Sequence, residues 1–155
     1  MNENNETKDT KQYIVVKLQN EFYAIDIKYI NNIVKMQRIT RVPKAQKYFK
    51  GVINLRGEII PVMSLRIRFD LEADEFTNKS RILIIKPDNQ GVFGIIVDEV
   101  KEVVNISDEE IDKVSYDGNV DEKVQFITGV GRLGDNLVSI MNIVGVITDK
   151  DKDKE

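Results

Sequence analysis

"YAIDIKYINNIV", Tyr23 to Val34, lies over "FGIIVDEVKEVV", Phe93 to Val104, at an offset of 70. The match sets an aromatic on an aromatic and a small residue on a small residue, then Ile25 on Ile95, Ile27 on Val97, Ile30 on Val100, Ile33 on Val103 and Val34 on Val104. Two further blocks keep the same order. Ile14, Val15 and Val16 match Ile82, Leu83 and Ile84 at an offset of 68, and "GVINLRGEIIPVMSL" from Gly51 matches "GVGRLGDNLVSIMNI" from Gly129 at an offset of 78. Three blocks in one order predict two related halves. A half of about seventy residues closes only a marginal core by itself, so the halves are expected to share a hydrophobic interface and leave a groove between them.

The pattern inside each half is mostly strand. "YIVVKL", "FYAIDI", "RILIIK" and "VFGIIV" are short runs rich in β-branched residues, separated by turn residues at "LQNE", "LRGE", "KPDNQG" and "LGDN". Helix signals are brief. Pro43 followed by "KAQKYFK" and Gly51 predicts a short helix with proline first and glycine past its end. "SDEEIDKV" predicts another, with Ser107 and Glu110 forming a capping box. Ile25 and Ile27 alternate as on a strand, whereas the spacing of Ile30, Ile33 and Val34, like that of Val100, Val103 and Val104, shifts toward a helical turn.

Composition narrows the function. The chain has 155 residues, 41% hydrophobic and 32% charged, an ordinary soluble balance for one domain. With no cysteine and no histidine, it lacks thiolate chemistry and the commonest general base and imidazole ligand, so no metal or other cofactor is expected and an enzyme is disfavoured. No apolar run approaches the roughly eighteen residues that cross a bilayer, so no membrane insertion is expected, and the polar start "MNENNETKDTK" is unlike a secretory signal. That start, residues 1–11, and the closing charged segment, 149–155, read as solvated tails around a single domain at 12–148, with approximate halves 12–78 and 79–148.

"RVPKAQKYFKGVINLRGEIIPVMSLRIRF", "FGIIVDEVKEVVNIS" and "ITGVGRLGDNLVSIMNI" together resemble the CheW family, the coupling proteins of bacterial chemotaxis, over about Tyr13 to Ile147. The resemblance implies an all-β fold with short helices, in which two SH3-like five-stranded β-barrels pack around a common hydrophobic core. It implies a non-enzymatic cytoplasmic adaptor that ties the tips of chemoreceptors to the regulatory domain of the histidine kinase CheA, in arrays at the membrane. It assigns receptor binding to the positions of Arg56, Ile30, Asn32 and Val100, and kinase binding to the segment around Lys113 and Tyr116. Two positions depart from the family pattern: Asn32, where members often carry an acid, and Ser64, where Asp is more usual. Either Ser or Asp caps a following turn.

Arg56 can be weighed from the residues too. Arg56-Gly57 fits a tight hairpin turn at which any polar residue would serve. It equally fits a guanidinium held on a stiff turn, offering five donors with little left to freeze, which suits an interface hot spot facing a carboxylate or carbonyl. An amphipathic helix laid in the groove is the matching partner.

A small β-barrel nucleic-acid binder is the alternative: between Ile27 and Gly57 stand Lys28, Lys35, Arg38, Arg41, Lys44, Lys47, Lys50 and Arg56 with no acid. Against it, the chain has a net charge of −3 and only Tyr29, Tyr48 and Phe49 to stack bases there. "GVGRLG" matches a dinucleotide fingerprint but is followed by "DNLVSIMNIV", a hairpin and strand where that fingerprint needs a helix. The acids at Asp98, Glu99 and Glu102, or Glu109, Glu110 and Asp112, read as solvated faces in preference to catalytic pairs.

Overall fold

The computed structural model describes residues 10–87, 91–114 and 126–148. Strands begin where β-branched runs begin and end at the turn residues: β1 (Thr10–Leu18), β2 (Glu21–Asp26), β3 (Ile30–Lys35), β4 (Phe49–Leu55), β5 (Glu58–Ser64), β6 (Arg81–Ile85), β7 (Phe93–Val97), β8 (Glu99–Ser107), β9 (Asp112–Lys113), β10 (Ile127–Leu133) and β11 (Asn136–Met141). The helices are α1 (Leu65–Arg68) and α2 (Ile143–Ile147), with 3-10 turns at Ile27–Tyr29 and Asp108–Glu110. Most of the expected tail residues lie outside the described segments, while Thr10 and Lys11 already belong to β1.

Two sheets form, in the orders β8-β1-β2-β11-β10-β9 and β3-β6-β7-β5-β4. Here they are sheet A and sheet B. The expectation of a mainly β fold with short helices holds, and among the described residues neither sheet closes on itself. Each sheet draws strands from both halves of the chain. The first half sends β3, β4 and β5 to sheet B but β1 and β2 to sheet A, and the second half does the reverse with β6 and β7.

The repeat is visible in the registers. In β4 and β5 Gly51 pairs with Val62, and at the offset of 78 Gly129 pairs with Ile140 in β10 and β11. The parallel pairs Val62 with Gly94 and Ile140 with Ala24 correspond in the same way. One offset needs correction. Ile14 pairs with Ile25 and Leu83 with Ile95, so position 14 corresponds to 83, an offset of 69 and not 68. Aliphatic runs are interchangeable by eye; backbone pairing is not.

The helical spacing read at Ile30, Ile33 and Val34 has another cause. β3 and β8 are strands, and each carries a bulge, with Asn31 skipped between Ile30 and Asn32 and Lys101 skipped between Val100 and Glu102. One extra residue turns a spacing of three into two side chains on the same face. Ile30 opposes Ile85 and Ile33 opposes Leu83, both in the central core, while Val34 opposes Ile82 on the other face.

No helix follows Pro43. Residues 43–48 form turns, Lys44 takes a left-handed φ of 63°, and Thr40 instead bridges Val52 through two backbone hydrogen bonds of 2.8 and 2.9 Å. At "SDEEIDKV" the capping box is present, with the Ser107 N–H donating to Glu110 Oε1 at 2.8 Å, but it closes only a single 3-10 turn.

Both faces of the inner strands are covered. A central cluster joins the two sheets, taking Ile14, Val16, Leu18 and Ile25 from one and Met63, Leu83, Ile85, Ile95 and Val97 from the other. Each sheet also has an outboard cluster, Ile53, Ile60, Val62, Ile82, Ile84 and Ile96 on sheet B and Tyr13, Ala24, Ile106, Val138 and Ile140 on sheet A. Burying one such aliphatic side chain contributes about 1.5–3 kcal/mol.

Candidate protein-docking site

The turn joining β4 to β5 is held from beneath. Arg56 has φ 55° and Gly57 φ 87°, and the Gly57 N–H donates to Asn54 Oδ1 at 2.9 Å. Two successive positive φ values are the geometry of a tight primed hairpin, in which an arginine at the first position costs strain that any β-carbon would. The side chain is exposed, and among the described residues nothing engages its guanidinium. It is therefore stiffly mounted and uncommitted.

A shallow cleft of about 200 Å³ opens beside it, with Arg56, Asn32 and Lys86 at the rim and Ile60 and Ile84 at the floor. Asn32 accepts a hydrogen bond from the Ile33 N–H through Oδ1 at 2.8 Å, which fixes its amide on the edge strand. Sequence reasoning did not single out Asn31, Glu58 or Lys86, which share this cleft.

The four residues assigned to receptor binding do not all meet here. Arg56 and Asn32 share the cleft, whereas Ile30, on the opposite face of sheet B, and Val100, on sheet A, are half-buried against the central cluster. Lys113 is exposed on the two-residue β9, opposite Gly129. Tyr116 lies outside the described residues.

Four of the five exposed aliphatic residues among those described fall into repeat-related pairs, Ile33 and Val103, 38% and 48% exposed, and Ile59 and Leu137, 58% and 60% exposed, with Val42 standing apart. The pairing argues that these are properties of the duplicated fold and not isolated accidents. The sequence repeat already aligned them, but only burial distinguishes them from core.

A buried polar cluster lies away from the cleft. Arg66 forms an ion pair with Asp98 at 2.6 Å and donates to the Ala73 carbonyl at 2.9 Å, while the Gln19 N–H donates to Asp98 at 2.7 Å. Ser64 caps α1 by accepting from the Ile67 N–H at 3.1 Å and donates its own hydroxyl proton to Asp74. Burial pushes the Asp74 carboxyl above its ordinary range, with the Ser64 hydrogen bond and Arg66 opposing. Serine at this position gives Asp74 a hydroxyl donor, where an ionised aspartate would offer only acceptors.

A CheW-like domain model matches residues 12–151. The chain belongs to the CheW-like domain family. It is 32% identical to the chemotaxis protein CheW of Helicobacter pylori, over 92% of this chain and 84% of that protein. It is 40% identical to the CheW of Bacillus subtilis, over 69% of this chain and 68% of that one. The crystal structure of the scaffolding protein TtCheW from Thermoanaerobacter tengcongensis superposes with a TM-score of 0.80 at 31% identity, covering 90% of this chain and 94% of that one. The role of this CheW-like chain is that of a chemotaxis adaptor.

The nucleic-acid alternative finds no support among these relatives, and the rings speak against it. Arg41, Lys44, Lys47 and Lys50 do line a cleft of about 440 Å³. Yet Lys28 lies over the Tyr29 ring at 5.1 Å and Arg68 over the Tyr48 ring at 4.3 Å, leaving Phe49 alone to face that cleft. Among the described residues no three His, Cys, Asp or Glu side chains gather to hold a metal, and no helix is long and apolar enough to cross a membrane.

Proposed function

We propose that the chain couples chemoreceptor cytoplasmic tips to the regulatory domain of the histidine kinase CheA, with Arg56 as the receptor-reading residue. The observation that carries this reading is the uncommitted guanidinium on a stiff turn beside a cleft with an aliphatic floor. An amphipathic receptor helix would set a carboxylate or carbonyl against Arg56 and an apolar side chain toward Ile60 and Ile84. Asn32 lends an amide at the same rim. Ile30 and Val100 act at the seam between the sheets, where a second contact line along the same helix would run. Kinase contact is assigned to the second half around Lys113 and Tyr116, which keeps the two partners on separate surfaces. Each sheet, wrapped on its own outboard cluster, is read as an SH3-like barrel, and the adaptor works in the cytoplasm, at receptor arrays, without chemistry of its own.

The test is a pair of binding measurements, with a receptor cytoplasmic fragment and with the CheA regulatory domain, on wild type and Arg56→Glu. A charge-assisted hydrogen bond contributes about 1.5–3 kcal/mol, so receptor affinity is expected to fall roughly 10- to 100-fold. Kinase affinity and the thermal midpoint are expected to hold. Unchanged receptor affinity removes Arg56 from the site; binding to neither partner by the wild type removes the coupling role.

A further inference from the structure

The repeat has duplicated the cleft without duplicating its arginine. A second cleft of about 340 Å³ opens on sheet A, and its lining follows from that of the first by the offsets of the repeat. Asn32 falls on Glu102, Leu55 on Leu133, Arg56 on Gly134 and Glu58 on Asn136, while Ile84 in the floor falls on Val15. The first turn residue corresponds in φ, 55° at Arg56 and 63° at Gly134, whereas the second does not, since Gly57 has φ 87° and Asp135 no positive φ. A β-carbon built on Gly134 would have nothing within 4 Å, so there is space for an arginine at 134, at the cost of a left-handed φ such as Arg56 already bears. What differs is charge and its placement: the second cleft has no guanidinium at its tip, and its acid is the exposed Glu102 where the first cleft has Asn32, whereas the first cleft's acid is Glu58 where the second has Asn136. The neighbouring Lys101 places its ammonium on Glu99 at 3.3 Å.

We infer that Gly134 and Glu102 are specificity determinants that leave the second cleft unread by the helix the first cleft takes, so that each chain holds one such partner. The inference rests on the reading of Arg56 given above. The partner chemistry it needs is an amphipathic helix that offers a carboxylate or backbone carbonyl to a guanidinium. At the second cleft that group would meet no donor at position 134 and a like charge at 102, and it would lose the charge-assisted bond that selects the first cleft.

Titration calorimetry of the full chain with a receptor cytoplasmic helical fragment separates the possibilities. Wild type is expected to show one site, Arg56→Glu a loss of at least tenfold, and Gly134→Arg with Glu102→Asn two sites. Adding those two substitutions to Arg56→Glu should return one site at near wild-type affinity. If Arg56→Glu binds like wild type, the docking reading falls and takes this inference with it. If Arg56→Glu loses binding and the triple variant, folded by thermal unfolding, regains none, the docking reading stands and the inference is overturned. Two sites in the wild type overturn it as well. Should Glu102→Asn disturb β8, Gly134→Arg alone in the Arg56→Glu background carries the same test, with a smaller regain expected and no regain counting against it.

Discussion

Arg66 shows how a charge is tolerated in this interior. It is 8% exposed and satisfied on every side the structure describes, by Asp98, by the Ala73 carbonyl and, through Asp98, by the turn at Gln19. Removing one partner of a buried pair is costlier than removing both, because the survivor is left charged without compensation. Asp98→Ala is expected to destabilise by about 3 kcal/mol, and Arg66→Met combined with Asp98→Leu by clearly less, both read from urea midpoints at constant slope. Asp74 makes a different prediction. Its carboxyl is raised by burial, so the native state holds this proton to higher pH than the unfolded chain does. Between the ordinary carboxyl range near 3.8 and the raised native value, the folded state therefore binds more protons, and stability from this group falls as pH rises through that window. Asp74→Asn should flatten this fall, and its stability relative to wild type should increase from pH 4 upward; a constant difference across pH would refute the assignment. Neither cluster was legible in the sequence. Arg66, Asp74 and Asp98 are separated along the chain and lie among other charged residues, and nothing in their spacing announces that one loop folds over the other.

At the scale of elements, legibility depended on whether the signal was local. Hairpin turns were readable because left-handed backbone is chemically selective, as at Arg56-Gly57 and Gly134. Bulges were not, since one skipped residue imitates helical spacing, nor was the break after Pro43, where Lys44 takes φ 63°, β4 already begins at Phe49, and Thr40 is recruited as a bridge to Val52. That recruitment explains Gly51. Its φ is 142°, and a β-carbon there would stand 2.1 Å from the Thr40 carbonyl oxygen. Backbone cannot step aside without breaking the bridge. Gly51→Ala is expected to cost more than about 3 kcal/mol, against about 1 kcal/mol for Gly134→Ala, where only backbone conformation is strained and nothing crowds the new methyl. Thermal unfolding of the two variants side by side checks the contrast, and equal losses would mean that close approach at Thr40 is not what fixes Gly51. The candidate site was legible only in part for the same reason. Arg56 and Asn32, singled out from the sequence, line one cleft, but that Ile30 and Val100 face the central cluster follows from the bulges.

For the whole molecule, the repeat predicted two halves and a shared interface, and the interface is more intimate than a seam between finished units. Sheet B is completed by β6 and β7, which come from the second half, and sheet A by β1 and β2, which come from the first. The halves are also clasped by Arg68, which stacks on Tyr48 and Phe126 at 4.3 and 4.9 Å and donates to the carbonyls of Val146 and Thr148 at 2.8 and 2.7 Å. Tyr48 and Phe126 occupy equivalent repeat positions, each giving its carbonyl to the residue that caps a helix, Ser64 or Asn142. A chain cut between Asn78 and Lys79, two exposed residues, would leave each fragment without the central strands of the sheet it mostly builds. The three strands left to the first fragment's sheet and the four left to the second's, without that core, expose their apolar faces and unpaired edges, which a fragment of roughly seventy residues cannot offset. Fragments 1–78 and 79–155 are therefore expected to show no cooperative thermal transition when separate and to recover one, with β-type circular dichroism, when mixed in equal amounts. A cooperative transition in either fragment alone would show that a half carries its own core, and that the exchanged strands are an addition to it and not its condition.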